Sequence, residues 1–428
     1  MRILILGGYG FIGAEIMRAC AAAGYECIGL GRSAATGERL VPDAQWIGAD
    51  MAKLDSAEKW TPFLAGVDAI VNAAGALQDG ARYDLEAIHH RAVAALLDAA
   101  PKMNVKKFVQ ISAPGANAKA STAFLRTKAA GDAAVRASSL EWTVLKPGLV
   151  IGQGAYGGTA LLRMLAGFPL MTPLVSASAL VQTVALEEVA AAVVAVLKSE
   201  VPARRDYDLV EDAPHSLRDI VRGVRRQIGF SMAKFEPDLP AWIAAPVGVA
   251  ADLAGLLGWR SPLRSTALKV MREDVLGDPA PWRAASGREF SSLDETLARL
   301  PGSAQERTFA RAQAAVPIMI VTLAAFWIAS GVIALTQVER AAALLPDFGA
   351  ASILVIGGAI LDIGVGAALI WRPTARAASI VSVLVAFSYL LAGTLLAPQF
   401  WSDPLGAYVK ILPAMALGLA VALMLEER

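Results

Sequence analysis

ILILGGYGFIG, residues 3–13, is a short apolar run that ends in three glycines, Gly7, Gly10 and Gly13, at three-residue spacing. An apolar run of this length, closed by glycine and followed by a helical pattern from Phe11, reads as a buried parallel strand turning sharply into a helix. The first N–H groups of such a helix, at Phe11, Ile12 and Gly13, have no acceptor inside it and are free to meet a pyrophosphate. Each glycine removes a Cβ that would obstruct this: Gly7 at the tight turn, Gly10 where the backbone approaches the phosphates, Gly13 where the helix packs on the strand. The stretch therefore predicts a dinucleotide site.

Outward from it, strand-like runs recur at 25–31, 44–50, 67–75, 106–112 and 142–148, separated by helical runs that include 81–100 and 122–138. Alternation of this kind predicts an α/β fold, a Rossmann-type doubly wound parallel sheet covered on both faces. Residues 1–150 form the expected NAD(P)-binding core. Residues 151–300 hold the remaining Rossmann elements and a small substrate-binding region, with helices near 187–198 and 217–228 and a short strand at 206–210. The apolar run 240–259, with Asp252 inside it, reads as a buried or interfacial helix and not as a further span.

The composition points to two solvents. Apolar residues make up 56% of the 428, and the mean hydropathy is +0.50, too high for an ordinary soluble enzyme. The excess lies beyond a polar stretch at 301–314, read as a linker. Four apolar stretches follow, at 315–336, 350–371, 377–397 and 405–425, and each reaches the roughly 20 residues a helix needs to cross a bilayer. Residues 315–428 are thus expected to be an all-α four-helix transmembrane bundle, with Asp362 and Lys410 inside spans. Arg307 and Arg311, Arg372 and Arg376, and Arg428 flank alternate ends of the spans. The connections around Glu339, Arg340, Asp347 and Asp403 lack that basic surplus. The positive-inside rule then places the N-terminal domain and the C-terminus of a multi-pass protein of the cell (inner) membrane in the cytoplasm. The opening strand carries no signal-peptide pattern, in keeping with that placement. A net charge of +1 gives no reason to expect nucleic acid. Cys20 and Cys27 suggest no disulfide framework, and His89, His90 and His215 make no metal spacing.

Strand two ends at Gly31 and is followed by Arg32 and Ser33, where an acidic residue would bond the ribose 2′-hydroxyl of NAD. An arginine favours a 2′-phosphate, so NADP(H) is expected over NAD(H). Asp50, after strand three, is placed either to meet the adenine amino group or to cap a helix.

GGYGFIG, NAAG at 72–75, a serine closing strand five (Ser112), FLRTK at 124–128 and LKPGLVIG at 145–152 together resemble the extended and atypical branch of the short-chain dehydrogenase/reductase superfamily, over roughly residues 1–300. They are most similar to the group related to the nucleotide-binding accessory subunit of respiratory complex I. The C-terminal part resembles a DoxX-like four-helix membrane domain. The resemblance implies cofactor contacts at Ala73 and Pro147 as well as at the glycine turn. It further implies a Tyr-x-x-x-Lys pair, whose lysine lowers the tyrosine pKa and holds the nicotinamide ribose, beside a serine that orients the carbonyl. Ser112 and Lys128 match. The tyrosine position is Phe124, which has no proton to give. Lys128 is then either a proton donor or a ribose ligand only, and Tyr156 is the nearby phenol offered as a substitute. His89 or His90 faces the nicotinamide end or is a core or solvated histidine. Arg218, Arg222, Arg225 and Arg226 share one helix side, either as a solvated face or as a contact for anionic lipid.

The expected function is a membrane-anchored NAD(P)H-binding oxidoreductase reducing a quinone or a lipid-soluble carbonyl. The alternative is a non-catalytic NADPH-binding structural or redox-sensing module of a membrane complex. Expected partners are a small-molecule or quinone-like substrate, membrane lipid and, for the alternative, a membrane-complex partner. Nucleotide-sugar epimerase or dehydratase chemistry needs the tyrosine that Phe124 replaces.

Overall fold

The run after Met1 forms β1 (Arg2–Leu6), and alternate residues of it are buried on opposite faces. Ile3 and Ile5 pack with Ile16, Met17, Val189 and Val193, whereas Leu4 and Leu6 pack with Trp60, Val93, Leu96 and Phe108. A strand buried on both sides needs a continuous apolar run, which is what residues 3–6 supply. The computed structural model describes residues 1–77, 84–154, 158–259, 261–270, 272–345, 349–404 and 406–425. They form two units, Met1–Asp252 with Ser261–Ala310, and Leu253–Arg260 with Arg311–Arg428.

In the first unit, β1 is joined by β2 (Glu26–Gly31), β3 (Gln45–Gly48), β4 (Ala69–Asn72), β5 (Lys107–Ile111), β6 (Glu141–Pro147) and a seventh strand, Arg205–Leu209. The sheet order is seventh, β6, β5, β4, β1, β2, β3. Every pairing is parallel, with Ile3 opposite both Cys27 and Ala69. All carboxyl ends therefore share one edge, and the winding reverses between β1 and β4, the place where such sheets bind ligands. The predicted Rossmann architecture is present. Helix α1 (Phe11–Ala22) follows β1. Of the helix expected at 81–100, the described part begins as a π-turn, Ala87–Arg91, and continues as Ala92–Ala99.

Residues 149–300 add two small sheets, Leu149–Ile151 with Thr183–Ala185 and Leu180–Val181 with His215–Ser216. Buried Glu211 ties them together by accepting from the N–H groups of Thr183 at 2.9 Å and Leu293 at 2.8 Å, with His215 Nε2 at 2.9 Å. The arginine-bearing helix is Leu217–Ile228, and its stripe is not a single solvated face. Arg222 forks onto Glu236, and buried Arg225 donates to the carbonyls of Ala166 and Phe168.

The stretch read as a linker is helical from residue 304, because Ala304–Thr336 is one helix of 33 residues. Two residues of its polar first turns are anchored: Glu306 pairs with buried Arg163, and Arg307 donates to the Ile228 carbonyl.

Among the described residues three helices are long and apolar enough to cross a membrane, Ala304–Thr336, Ala351–Ile370 and Arg372–Leu396, with mean hydropathies of 2.4, 2.4 and 2.1. Of the four spans expected from the sequence, the fourth is shorter than expected. The fourth helix is Ile411–Met424, 14 residues, about 21 Å of rise. Asp403, Pro404 and Gly406 (φ +64) delay its start. Lys410 is consequently its N-cap and not an interior residue. Asp362 is buried within the second long helix and is met by two hydroxyls, Ser330 Oγ at 2.8 Å and Tyr389 OH at 2.9 Å. Helices approach closely through small residues: a Cβ on Gly331 would lie 2.4 Å from the Ala359 carbonyl oxygen, and one on Gly418 2.7 Å from Ser382 Oγ.

Candidate functional site

The glycine turn at the carboxyl end of β1 has the form its sequence demands. Gly7 has φ +70, and a Cβ there would lie 2.8 Å from Ala74 Cα, so both conformation and space require glycine. Ala73, which donates to the Leu6 carbonyl, and Ala74 thus form the wall against which the turn closes. A Cβ on Gly13 would lie 2.2 Å from the Gly7 carbonyl oxygen, so this glycine seats α1 on the turn itself, not on the strand. At Gly10 the corresponding contact is 3.1 Å, to the same oxygen, and the outer side stays open for close approach. Gly10 caps α1 without a side chain, leaving the N–H groups of Phe11, Ile12 and Gly13 without helical acceptors. These residues fit the pyrophosphate of a dinucleotide.

Arg32 is exposed just past β2. Asp50 accepts from the Ala52 N–H at 3.2 Å and caps the turn Met51–Lys53, so the capping reading of this residue is realised. Two aromatic rings shape the β2–β3 side of the turn. A Cβ on Gly29 or Gly37 would fall 2.3 or 2.2 Å from the Trp46 ring, and one on Gly31 2.2 Å from the Tyr9 ring. Tyr9 and Trp46 lie 6.0 Å apart, centroid to centroid.

The other side is built by β5 and the helix Ala123–Ala137, which Thr122 caps through the Leu125 N–H. Ser112, just past β5, donates to Asp132 Oδ2 at 2.5 Å, and both are buried. Lys128, one helical turn before Asp132, is buried and donates to the Ile111 carbonyl at 2.7 Å. Burial pushes its ammonium down from 10.5 to about 8, with Asp132 opposing the shift. Burial likewise raises the Asp132 carboxyl, against the Ser112 hydrogen bond and the Lys128 charge. Asp132 Oδ1 is buried with no partner.

Gly131 brings this helix against the π-turn, since a Cβ there would lie 2.1 Å from the His89 carbonyl oxygen. His89 is buried: its Nε2 accepts from the Ala76 N–H at 3.2 Å, and its Nδ1 lies 2.9 Å from Thr127 Oγ1. That network assigns the neutral tautomer with the proton on Nδ1. Burial, and then the Lys128 charge, hold the imidazole well below its usual pKa. The Phe124 ring meets His89 edge-on at 5.7 Å. A Cβ on Gly75 would sit 3.4 Å from His89 Nε2 and 3.5 Å from Lys128 Nζ, so the NAAG turn closes over both groups.

The structure thus brings together Ser112, Lys128, Gly75 and His89, and places Pro147 at the end of β6. Tyr156 lies outside the described residues. His90 belongs elsewhere, 2.6 Å from Glu86. Sequence reading missed Asp132; its spacing of four from Lys128 on one helix face is the signal that could have found it.

Residues 7–200 match a family described as NAD(P)H-binding, and residues 324–419 match the DoxX-like family. A curated relative, an uncharacterized chloroplastic protein of Arabidopsis thaliana, is 26% identical over 175 residues, 40% of this chain and 57% of the relative. The chain thus spans little more than half the length of that relative. Among solved structures, UDP-glucose 4-epimerase of Thermotoga maritima is similar with TM-score 0.51 and 18% identity, covering 70% of this chain and 98% of its own. WbmG of Bordetella bronchiseptica, solved with NAD and UDP, gives TM-score 0.54 and 17% identity, covering 73% and 96%. At these identities the likeness is one of fold. Residues 7–200, on a Rossmann-type sheet, are thus similar to the NAD(P)H-binding family, and residues 324–419, with helices apolar enough for membrane association, to the DoxX-like family.

Proposed function

We propose that the chain is a membrane-anchored oxidoreductase that takes NADPH in preference to NADH and reduces a quinone or a lipid-soluble carbonyl. The observation that carries this reading is the buried Ser112, Asp132 and Lys128 cluster beside a phenyl ring. A bound nicotinamide supplies the hydride. The chain's own groups hold and orient: Lys128 Nζ reaches the ribose side, and the N–H groups that open α1 carry the pyrophosphate. Arg32, exposed past β2, meets the 2′-phosphate.

Phe124 offers no proton, and His89 is held neutral with both ring nitrogens engaged. The Ser112 proton is committed to Asp132. Of the groups in this cluster only the Lys128 ammonium, lowered to about 8, is left as an acid, which favours an acceptor such as a quinone whose reduction product can take its proton from water. Substrates of that kind dissolve in the bilayer, in keeping with the DoxX-like helices. In the proposed topology the Rossmann domain and the C-terminus face the cytoplasm, where reduced cofactor is available.

The test is NADPH oxidation by purified full-length protein with quinones and aldehydes. Turnover with a quinone is expected, falling by about 10²-fold or more in Lys128→Ala. NADPH binding without turnover on any acceptor would overturn the proposal. It would support a second reading, favoured by Phe124 and the neutral His89, of a non-catalytic NADPH-binding structural or redox-sensing module of a membrane complex. On that reading Lys128→Ala changes cofactor affinity or partner assembly alone.

A further inference from the structure

We infer that the helix Ala241–Leu256 is an interfacial helix, lying in the plane of the bilayer at the boundary between lipid headgroups and acyl chains. The inference rests on the proposed membrane-spanning reading of the three long helices, and its test separates the two.

The helix is two-faced by size and not by polarity. Small residues, Gly248, Ala251 and Gly255, are turned inward, and Gly248 lies against the helix Ser265–Val270, where an added Cβ would be 3.2 Å from Leu268. The single charged residue in the helix, Asp252, is held by Arg264 at 3.1 Å and by the Ser265 N–H at 3.3 Å. What remains outside is large and apolar: Trp242 is 74% exposed, Leu253 59% and Leu256 66%, with Ile243, Val247 and Val249 also exposed. No charged side chain interrupts that face. A contiguous apolar surface of this kind marks an interaction site.

Continuity with the membrane helices identifies the occupant as lipid. Where the helix ends, Trp259 Nε1 donates to the Ile370 carbonyl at 2.6 Å, and the Arg372 N–H donates to the Leu257 carbonyl at 3.0 Å. The Arg372 guanidinium lies 5.5 Å from the centre of the Trp259 ring. Ile370 to Arg372 is the turn between two of the long apolar helices, and a turn of that kind, bearing tryptophan and arginine, sits at the membrane surface. The end of Ala241–Leu256 is therefore fixed at that level.

Depth follows from length and from proline. Sixteen residues rise about 24 Å, less than the roughly 30 Å of a hydrocarbon core. Pro246 has no N–H, so the Trp242 carbonyl loses its helical donor. An unsatisfied carbonyl is tolerated at the headgroups, where water reaches it, and is costly in hydrocarbon.

The test uses spin labels on full-length Val249→Cys and Leu253→Cys reconstituted in vesicles of phosphatidylethanolamine and phosphatidylglycerol. The native Cys20 and Cys27 are buried and do not compete. Leu384→Cys, on a long apolar helix, and Leu40→Cys, on the Rossmann unit, are the references; both native residues are exposed. Collisions with oxygen are expected to exceed those with a water-soluble nickel chelate at 249 and 253, as at 384, giving a depth of about 5–10 Å below the phosphates. Nickel accessibility matching that at Leu40→Cys would overturn the inference while leaving the spans intact. Short label-to-label distances between two copies, with no oxygen excess, would overturn it in favour of a dimer contact. Nickel accessibility at Leu384→Cys as well would overturn the spanning reading together with this one.

Discussion

Lys128 is the residue whose physics can be read most directly. Its ammonium is buried, and burial lowers its pKa from 10.5 to about 8. Below about 8 the lysine is charged in both folded and unfolded chains, and the folded state bears the cost of desolvation. Between about 8 and 10.5 the unfolded chain binds more protons than the folded one, so the stability contributed by this group rises with pH across that window. Lys128→Met is therefore expected to flatten the rise of the melting temperature of the Rossmann unit between pH 8 and 10.5. The check is near-ultraviolet circular dichroism of both proteins through that range, and equal slopes would contradict the assignment. Asp132 lies one turn further along the same helix. Its carboxylate accepts a hydrogen bond from the Ser112 hydroxyl at 2.5 Å, so the serine that the resemblance assigns to a substrate carbonyl is held by a residue no motif names.

At the scale of elements, the helix Ala123–Ala137 and the π-turn Ala87–Arg91 depend on one missing Cβ. Gly131→Ala would put a carbon 2.1 Å from the His89 carbonyl oxygen, and the helix carrying Lys128 and Asp132 must then move outward. A loss of about 1–3 kcal/mol is expected from overpacking of this kind, read in denaturant unfolding, together with weaker NADPH binding from a displaced Lys128. Unchanged affinity would mean that the crossing does not position the site. The glycines of residues 7–13 were legible because each serves a local turn with a known geometry. Gly131, Gly29 and Gly37 were not, because the atoms that require them, the His89 carbonyl and the Trp46 ring, are distant in sequence. The π-turn was hidden for a related reason: apolar periodicity registers a helix there but not the extra residue that turns His89 inward. The strands β1, β2 and β4 to β6 were legible because burial on both faces imposes continuous apolar runs, whereas the edge strand β3 is only partly buried.

The number of membrane crossings decides on which side residue 428 lies, and the proposed topology turns on the short helix Ile411–Met424. Its 14 residues supply about 21 Å against a core of about 30 Å, which favours three crossings on length alone. Packing argues for a fourth. Tyr408 lies against Gly393, where an added Cβ would be 2.5 Å from its hydroxyl, while Gly418 lies against Ser382. Between those contacts the segment runs antiparallel to Arg372–Leu396 and descends about 16 Å along it, so it does not lie in the membrane plane. A turn at its start, with the Lys410 N–H on the Gly406 carbonyl at 3.2 Å and the Ile411 N–H on Tyr408 at 3.1 Å, adds further rise. The remaining mismatch costs fractions of a kcal/mol per Å by local thinning. In the proposed topology, with Arg372 and Arg376 in the turn after the second long helix, a fourth crossing would return the chain to their side. Arg428→Cys in intact cells is accordingly expected to resist a membrane-impermeant maleimide and to react only after permeabilisation. Reaction in intact cells would show an odd number of crossings and remove the four-span topology.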